Sequence, residues 1–80
     1  MHVRYAGAIP KAIKAWCDKN ADKVYEVIRW GDGGCKYDAA LRKGWQDGMG
    51  AHTVYGSTAR DLINSLRYCE PCECKECRRD

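Results

Sequence analysis

Four of the chain's six cysteines fall in its last twelve residues, Cys69-Glu70-Pro71-Cys72-Glu73-Cys74-Lys75-Glu76-Cys77-Arg78-Arg79-Asp80. Their spacing is C-x2-C-x-C-x2-C. Two C-x2-C pairs are what a tetrahedral thiolate site asks of a chain, because two intervening residues let both sulfurs of a pair reach one ion. The chain has 80 residues. One this short buries only about two-thirds of its unfolded surface, so its core alone is marginal and a staple is expected. Whatever joins those sulfurs therefore decides how the chain can fold.

Three chemistries compete for the cluster. Disulfides need an oxidising compartment, and Met1-His2-Val3-Arg4-Tyr5-Ala6-Gly7 has no apolar run of signal-peptide length. Cysteines one or two residues apart also rarely reach unstrained disulfide geometry with each other. Iron–sulfur ligation matches neither common ferredoxin spacing. A structural zinc ion held by Cys69, Cys72, Cys74 and Cys77 is the expectation. The single residue between Cys72 and Cys74 leaves little chain to wrap an ion. A site of three of these thiols completed by Cys17, Cys35, His2 or His52 therefore stands beside the four-cysteine set.

Charge narrows the partners. Fourteen Lys and Arg against eleven Asp and Glu give +3. Four thiolates and one divalent ion would remove two of those charges. A nucleic-acid binder is expected to show a clustered basic face and a pI above about 9. Here Glu70, Glu73, Glu76 and Asp80 interleave with the ligands and would repel phosphates. Arg78 and Arg79 beside a zinc knuckle, with three Trp and five Tyr, keep single-strand binding as the alternative. No stretch approaches the roughly 18 apolar residues of a membrane span, and the chain reads as cytoplasmic.

The chain in order predicts an α-β-β-β-α domain over residues 1–68, with the cysteine tail 69–80 packed on it. Pro10 opens a helix over 10–19 in which Ile13, Trp16 and Cys17 recur at helical spacing, and Asn20 would stop it in left-handed backbone. Val24–Trp30 is β-branched and aromatic. Its alternation puts Val24, Ile28 and Trp30 on one face, with Tyr25 and Val27 on the other. Gly31-Asp32-Gly33-Gly34 reads as a hairpin turn, followed by a strand through Tyr37, Ala39 and Leu41, with a short helix over 37–43 as its competitor. Residues 44–50 read as a glycine-rich loop and 51–55 as a third strand. Thr58-Ala59-Arg60-Asp61 resembles a capping box with Asp in the Glu position, opening a helix over 58–68. The fold class is α+β, a three-stranded antiparallel sheet with two helices, and one sheet face has little left to cover it.

No catalytic constellation emerges. The one conceivable nucleophile–base pair, Cys35 with His52, is outweighed by reading His52 as a satisfied surface histidine and Cys35 as a small buried thiol. Gly31–Gly34 follows a strand without opening a helix, so it is a turn and not a phosphate cradle. Interface-prone side chains are plentiful: Trp45 in its glycine loop, Trp30, Tyr25, Tyr37, Tyr55 and the arginines Arg78 and Arg79. A non-catalytic, zinc-stabilised module that binds another protein is the reading they favour. The strand–glycine-loop–strand–capped-helix run from Gly34 to Leu66, GCKYDAALRKGWQDGMGAHTVYGSTARDLINSL, loosely resembles small orphan proteins carried by bacteriophages and mobile elements. Some of those are inhibitors of host machinery, anti-CRISPR proteins among them, so the resemblance implies a binding-only role against a host complex.

Overall fold

The computed structural model describes residues 2–31 and 36–78. Most of the expected hairpin turn (residues 32–34), together with Cys35 and Arg79, lies outside the described residues.

Helix α1 (Lys11–Lys19) begins behind Pro10, whose carbonyl accepts the N–H groups of Ile13 and Lys14 at 3.1 Å each. Proline suits this position because its φ is already helical and its missing donor would have had no partner. The helix does not end through left-handed backbone. Asn20 has φ −122°, and its side-chain amide instead donates to the Trp16 carbonyl at 2.8 Å. Ile13 and Cys17, one turn apart, are fully buried. Burial, then the Asp18 carboxylate, pushes the Cys17 thiol up to about 12. With almost no thiolate present, Cys17 in the folded protein is expected to resist iodoacetamide at pH 8. Peptide mapping that finds Cys17 alkylated as fast as a free cysteine would contradict this burial.

The sheet is mixed and four-stranded. Strands β1 (Arg4–Ala6), β2 (Val24–Arg29), β3 (Tyr37–Leu41) and β5 (Thr53–Gly56) lie in the order β1-β2-β3-β5. β1 runs parallel to β2, and the other two contacts are antiparallel. The expected three-stranded antiparallel sheet is corrected by the N-terminal arm. Chain entering β1, crossing through α1 and returning parallel as β2 is a βαβ unit, the crossover that parallel neighbours need. Tyr5 anchors it: aligned with Val27 in the sheet, it donates its hydroxyl to Asp18 of α1 at 2.6 Å.

A bulge overrides simple alternation in β2. Val24 pairs with Leu41 and Glu26 with Ala40, leaving Tyr25 as the extra residue. Val24 and Val27 are therefore both fully buried, whereas Ile28 shares the opposite face with Glu26. The expected grouping of Val24 with Ile28 fails for this reason. Residues 37–41 are strand and not helix, because Tyr37, Ala39 and Leu41 all turn inward in the middle of the sheet.

Helix α2 (Ala59–Leu66) starts at Thr58, whose hydroxyl accepts the Asp61 N–H at 3.1 Å, and buries Leu62 and Leu66 completely. α1 and α2 cover one face of the sheet, and among the described residues no helix covers the other. The glycine-rich stretch is not all loop: β4 (Trp45–Gln46) pairs with β6 (Glu70–Pro71) in a second, two-stranded sheet. The Cys72 N–H then donates to the Gly44 carbonyl at 2.7 Å. The chain leaving α2 is thus fastened to the 44–46 segment before it reaches α3 (Lys75–Arg78).

Candidate metal centre

His52 stands one residue before β5, and its carbonyl accepts the Leu41 N–H at 2.9 Å, so the sheet fixes its backbone. Cys72 follows β6, Cys74 lies in the turn beyond it, and Cys77 sits on α3. These elements bring one ligand atom from each of His52, Cys72, Cys74 and Cys77 within 4.8 Å of one another. The Cys74 sulfur is 3.7 Å from His52 Nε2, and the Cys77 sulfur is 3.9 Å from Nδ1. The five described cysteines are all free thiols. Three cysteines and one histidine converge here, and they could hold a metal ion.

His52 takes the place that spacing alone gave to Cys69. The spacer Glu70–Pro71 is extended and paired with β4, and an extended spacer separates two sulfurs that a tight turn would bring together. Cys69 instead lies three residues beyond α2, its N–H donating to the Leu66 carbonyl at 3.1 Å, with its side chain half-buried against the core. Burial raises its thiol. Between Cys74 and Cys77, by contrast, the chain enters a helical turn, which draws that pair together. Of the other candidate ligands, Cys17 is in the core, and His2 is exposed at the N-terminus with its carbonyl taken by Arg42 at 2.7 Å.

The environment splits the thiols. The Cys77 backbone N–H, then the Cys72 thiol, hold Cys74 down at about 6. At Cys72 a backbone N–H from Cys74 works toward the thiolate, but burial and the sulfurs of Cys74 and Cys77 outweigh it and push the group up to about 11. A cation placed among the sulfurs would reverse that penalty, since coordinating thiols are deprotonated. Behind the cluster, His52 Nδ1 lies 3.0 Å from the Trp45 carbonyl. A proton on Nδ1 shared with that carbonyl leaves the ring's lone pair on Nε2, the arrangement that normally orients a metal-binding histidine.

The aromatic residues expected to meet a partner divide. Tyr37 is 7% exposed and belongs to the core, with the Arg29 guanidinium 5.9 Å above its ring. Trp45 is half-buried in β4, the Lys23 ammonium 5.0 Å over its ring. Neither is an exposed anchor: Tyr37 belongs to the core cluster, and Trp45 packs half-buried against it. Tyr25, Trp30 and Tyr55 are 42%, 51% and 55% exposed. Arg78 ends α3. Tyr68, 77% exposed beyond α2, escaped sequence reasoning because it lies between a helix and a cysteine with no periodicity to place it.

No family model, curated protein or solved structure matches the chain. Among the described residues, no helix is long and apolar enough to cross a membrane.

Proposed function

We propose that this chain is a zinc-stabilised, non-catalytic binding domain whose partner is another protein. Zinc is favoured by the donor set. Three thiolates and an imidazole make a standard closed structural site, and zinc–ligand bonds of about 2.0–2.3 Å place tetrahedral donors roughly 3.5–3.8 Å apart. The 3.7 Å between the Cys74 sulfur and His52 Nε2 lies within that range. Such a site has no open position for chemistry; it ties the start of β5 to the tail.

The observation that carries the binding role is the sheet face that no helix among the described residues covers. Trp30 and Tyr55 stand exposed at its rim, and Ile28, Ala40 and Asp38 are half-buried between them. Exposed aromatics around an apolar patch are the usual anchors of protein interfaces. The loose resemblance of residues 34–66 to small phage-borne orphan proteins, some of them inhibitors of host machinery, makes a host complex the class of partner to try first.

The test is one zinc ion per chain by native mass spectrometry, together with a partner retained by wild type and lost on Trp30→Ala with unchanged far-UV circular dichroism. Salt-dependent binding of a single-stranded oligonucleotide at about 50 mM salt would replace this reading with a nucleic-acid one.

The same face makes a pH prediction. Burial raises the Asp38 carboxyl; the Trp30 hydrogen bond works against this, and Glu26 adds to it. A raised carboxyl favours folding while it is protonated, and that advantage disappears as pH rises through its folded pKa. Asp38→Asn is therefore expected to raise the thermal midpoint at pH 7 and to leave it unchanged near pH 3. An equal shift at both values would mean that charge is not the cause.

A further inference from the structure

The two lateral strands finish the sheet differently. β1 has three residues and carries Arg4, which pairs with Glu26 at 3.9 Å. Short length and charge are ways in which natural sheets blunt an edge. β5, at the other side, reads Thr-Val-Tyr-Gly, with no charge and no proline, and among the described residues no strand lies beyond it.

The ladder shows which groups that edge presents. Opposed residues in an antiparallel pair alternate between exchanging both backbone bonds and exchanging none. Leu41 donates to the His52 carbonyl at 2.9 Å. Two and four residues along, Ala39–Val54 and Tyr37–Gly56 fall on the same bonded phase of the register. Thr53 and Tyr55 therefore turn their N–H and C=O groups outward.

Beside this edge is a cavity of about 330 Å³ lined by Asp47, Thr53, Val54, Tyr55, Ser65 and Tyr68. Asp47 is the one charged residue among them. Its carboxylate is held by the N–H groups of Met49 and Ala51 at 2.8 and 3.1 Å. A fixed carboxylate at a cavity that Ser65 and Tyr68 also line suits a guanidinium or ammonium group.

We infer that the outer edge of β5 takes an extended strand of the partner protein, antiparallel, with a basic side chain opposite Val54 entering this cavity. A residue opposite Val54 points to the same face as Val54, the side on which α2 carries Ser65 with Tyr68 just beyond. Its two neighbours bond to Thr53 and Tyr55. Main-chain bonds supply affinity and the cavity selects the basic residue, as in other strand-addition complexes. This rests on the proposal above that the partner is a protein, and adds where its chain docks.

The experiment uses the zinc-loaded full chain, 15N-labelled, with the peptide acetyl-Thr-Val-Arg-Val-Thr-amide and its counterpart bearing Glu for Arg. With the Arg peptide, amide exchange at Thr53 and Tyr55 is expected to slow about tenfold, with little change at His52 and Val54, and the Glu peptide should bind about tenfold more weakly. Asp47→Asn, which keeps a turn acceptor, should abolish the preference between peptides and retain the protection. No slowing at Thr53 and Tyr55 overturns the inference. So does equal binding of both peptides by wild type, or protection that rises with protein concentration without peptide, which would give the edge to a second copy. Peptide failure alongside partner loss in Trp30→Ala sinks the edge site alone; partner retention in Trp30→Ala counts against the sheet-face reading.

Discussion

Replacing His52 with alanine is expected to abolish stoichiometric metal binding, while Cys69→Ser leaves one ion per chain. His52 supplies one of four converging donor atoms, whereas Cys69 is half-buried against the core and outside that group. Loss of a group that only hydrogen-bonds a ligand costs roughly 10–100-fold in affinity, and loss of the ligand itself should cost more. The consequence is structural as well. Structural zinc contributes roughly 10–16 kcal/mol of apparent binding energy, comparable to the whole stability of a small domain at roughly 5–15 kcal/mol. In His52→Ala, and in wild type treated with a chelator, β6 should leave β4 and residues 69–78 should lose their dispersed amide resonances. Native mass spectrometry and 1H–15N spectra of the two variants decide the matter. Full occupancy in His52→Ala with loss in Cys69→Ser would restore the four-thiol set.

Gly56→Ala is expected to destabilise the fold by about 3 kcal/mol, the upper part of the range for overpacking a well-filled core. A Cβ on Gly56 would stand 2.6 Å from the Leu62 backbone nitrogen and 2.7 Å from its Cα. Those atoms belong to the first turn of α2, so no rotamer change relieves the clash; the helix must lift away from β5. Lifting it opens the contact that buries Leu62 and Leu66 and drags on Thr58, whose hydroxyl caps the helix. A urea midpoint within experimental error of wild type would show that the helix has more freedom than this packing allows.

The parts of the fold that could be read from the chain are those set by local rules. Thr58 is a helix cap because its hydroxyl reaches a donor three residues on, and Ile13 and Cys17 face the core because 3.6 residues make a turn. The parts that could not be read depend on distant partners. Arg4–Ala6 has too few residues to show a period, and becomes a strand only because β2 offers it an edge. The bulge at Tyr25 shifts the inward face by one residue, and nothing in Val-Tyr-Glu-Val announces it. Trp45–Gln46 is extended only because Glu70–Pro71 lies beside it. At the metal centre, Cys72, Cys74 and Cys77 were legible from their spacing. His52 was legible only as one of four residues that could complete a three-thiol site, because what carries it to the cluster is a sheet register and a carbonyl on β4.

The position of Trp45 has a practical consequence. Its ring lies under the Lys23 ammonium while its own carbonyl meets the imidazole that completes the cluster. The proposed zinc ion has a filled d shell and would be colourless to most spectroscopies, whereas Trp45 meets the candidate site through its own carbonyl. Filling or emptying the centre should displace Trp45 relative to that cation and change its emission, so the protein carries its own optical gauge of occupancy.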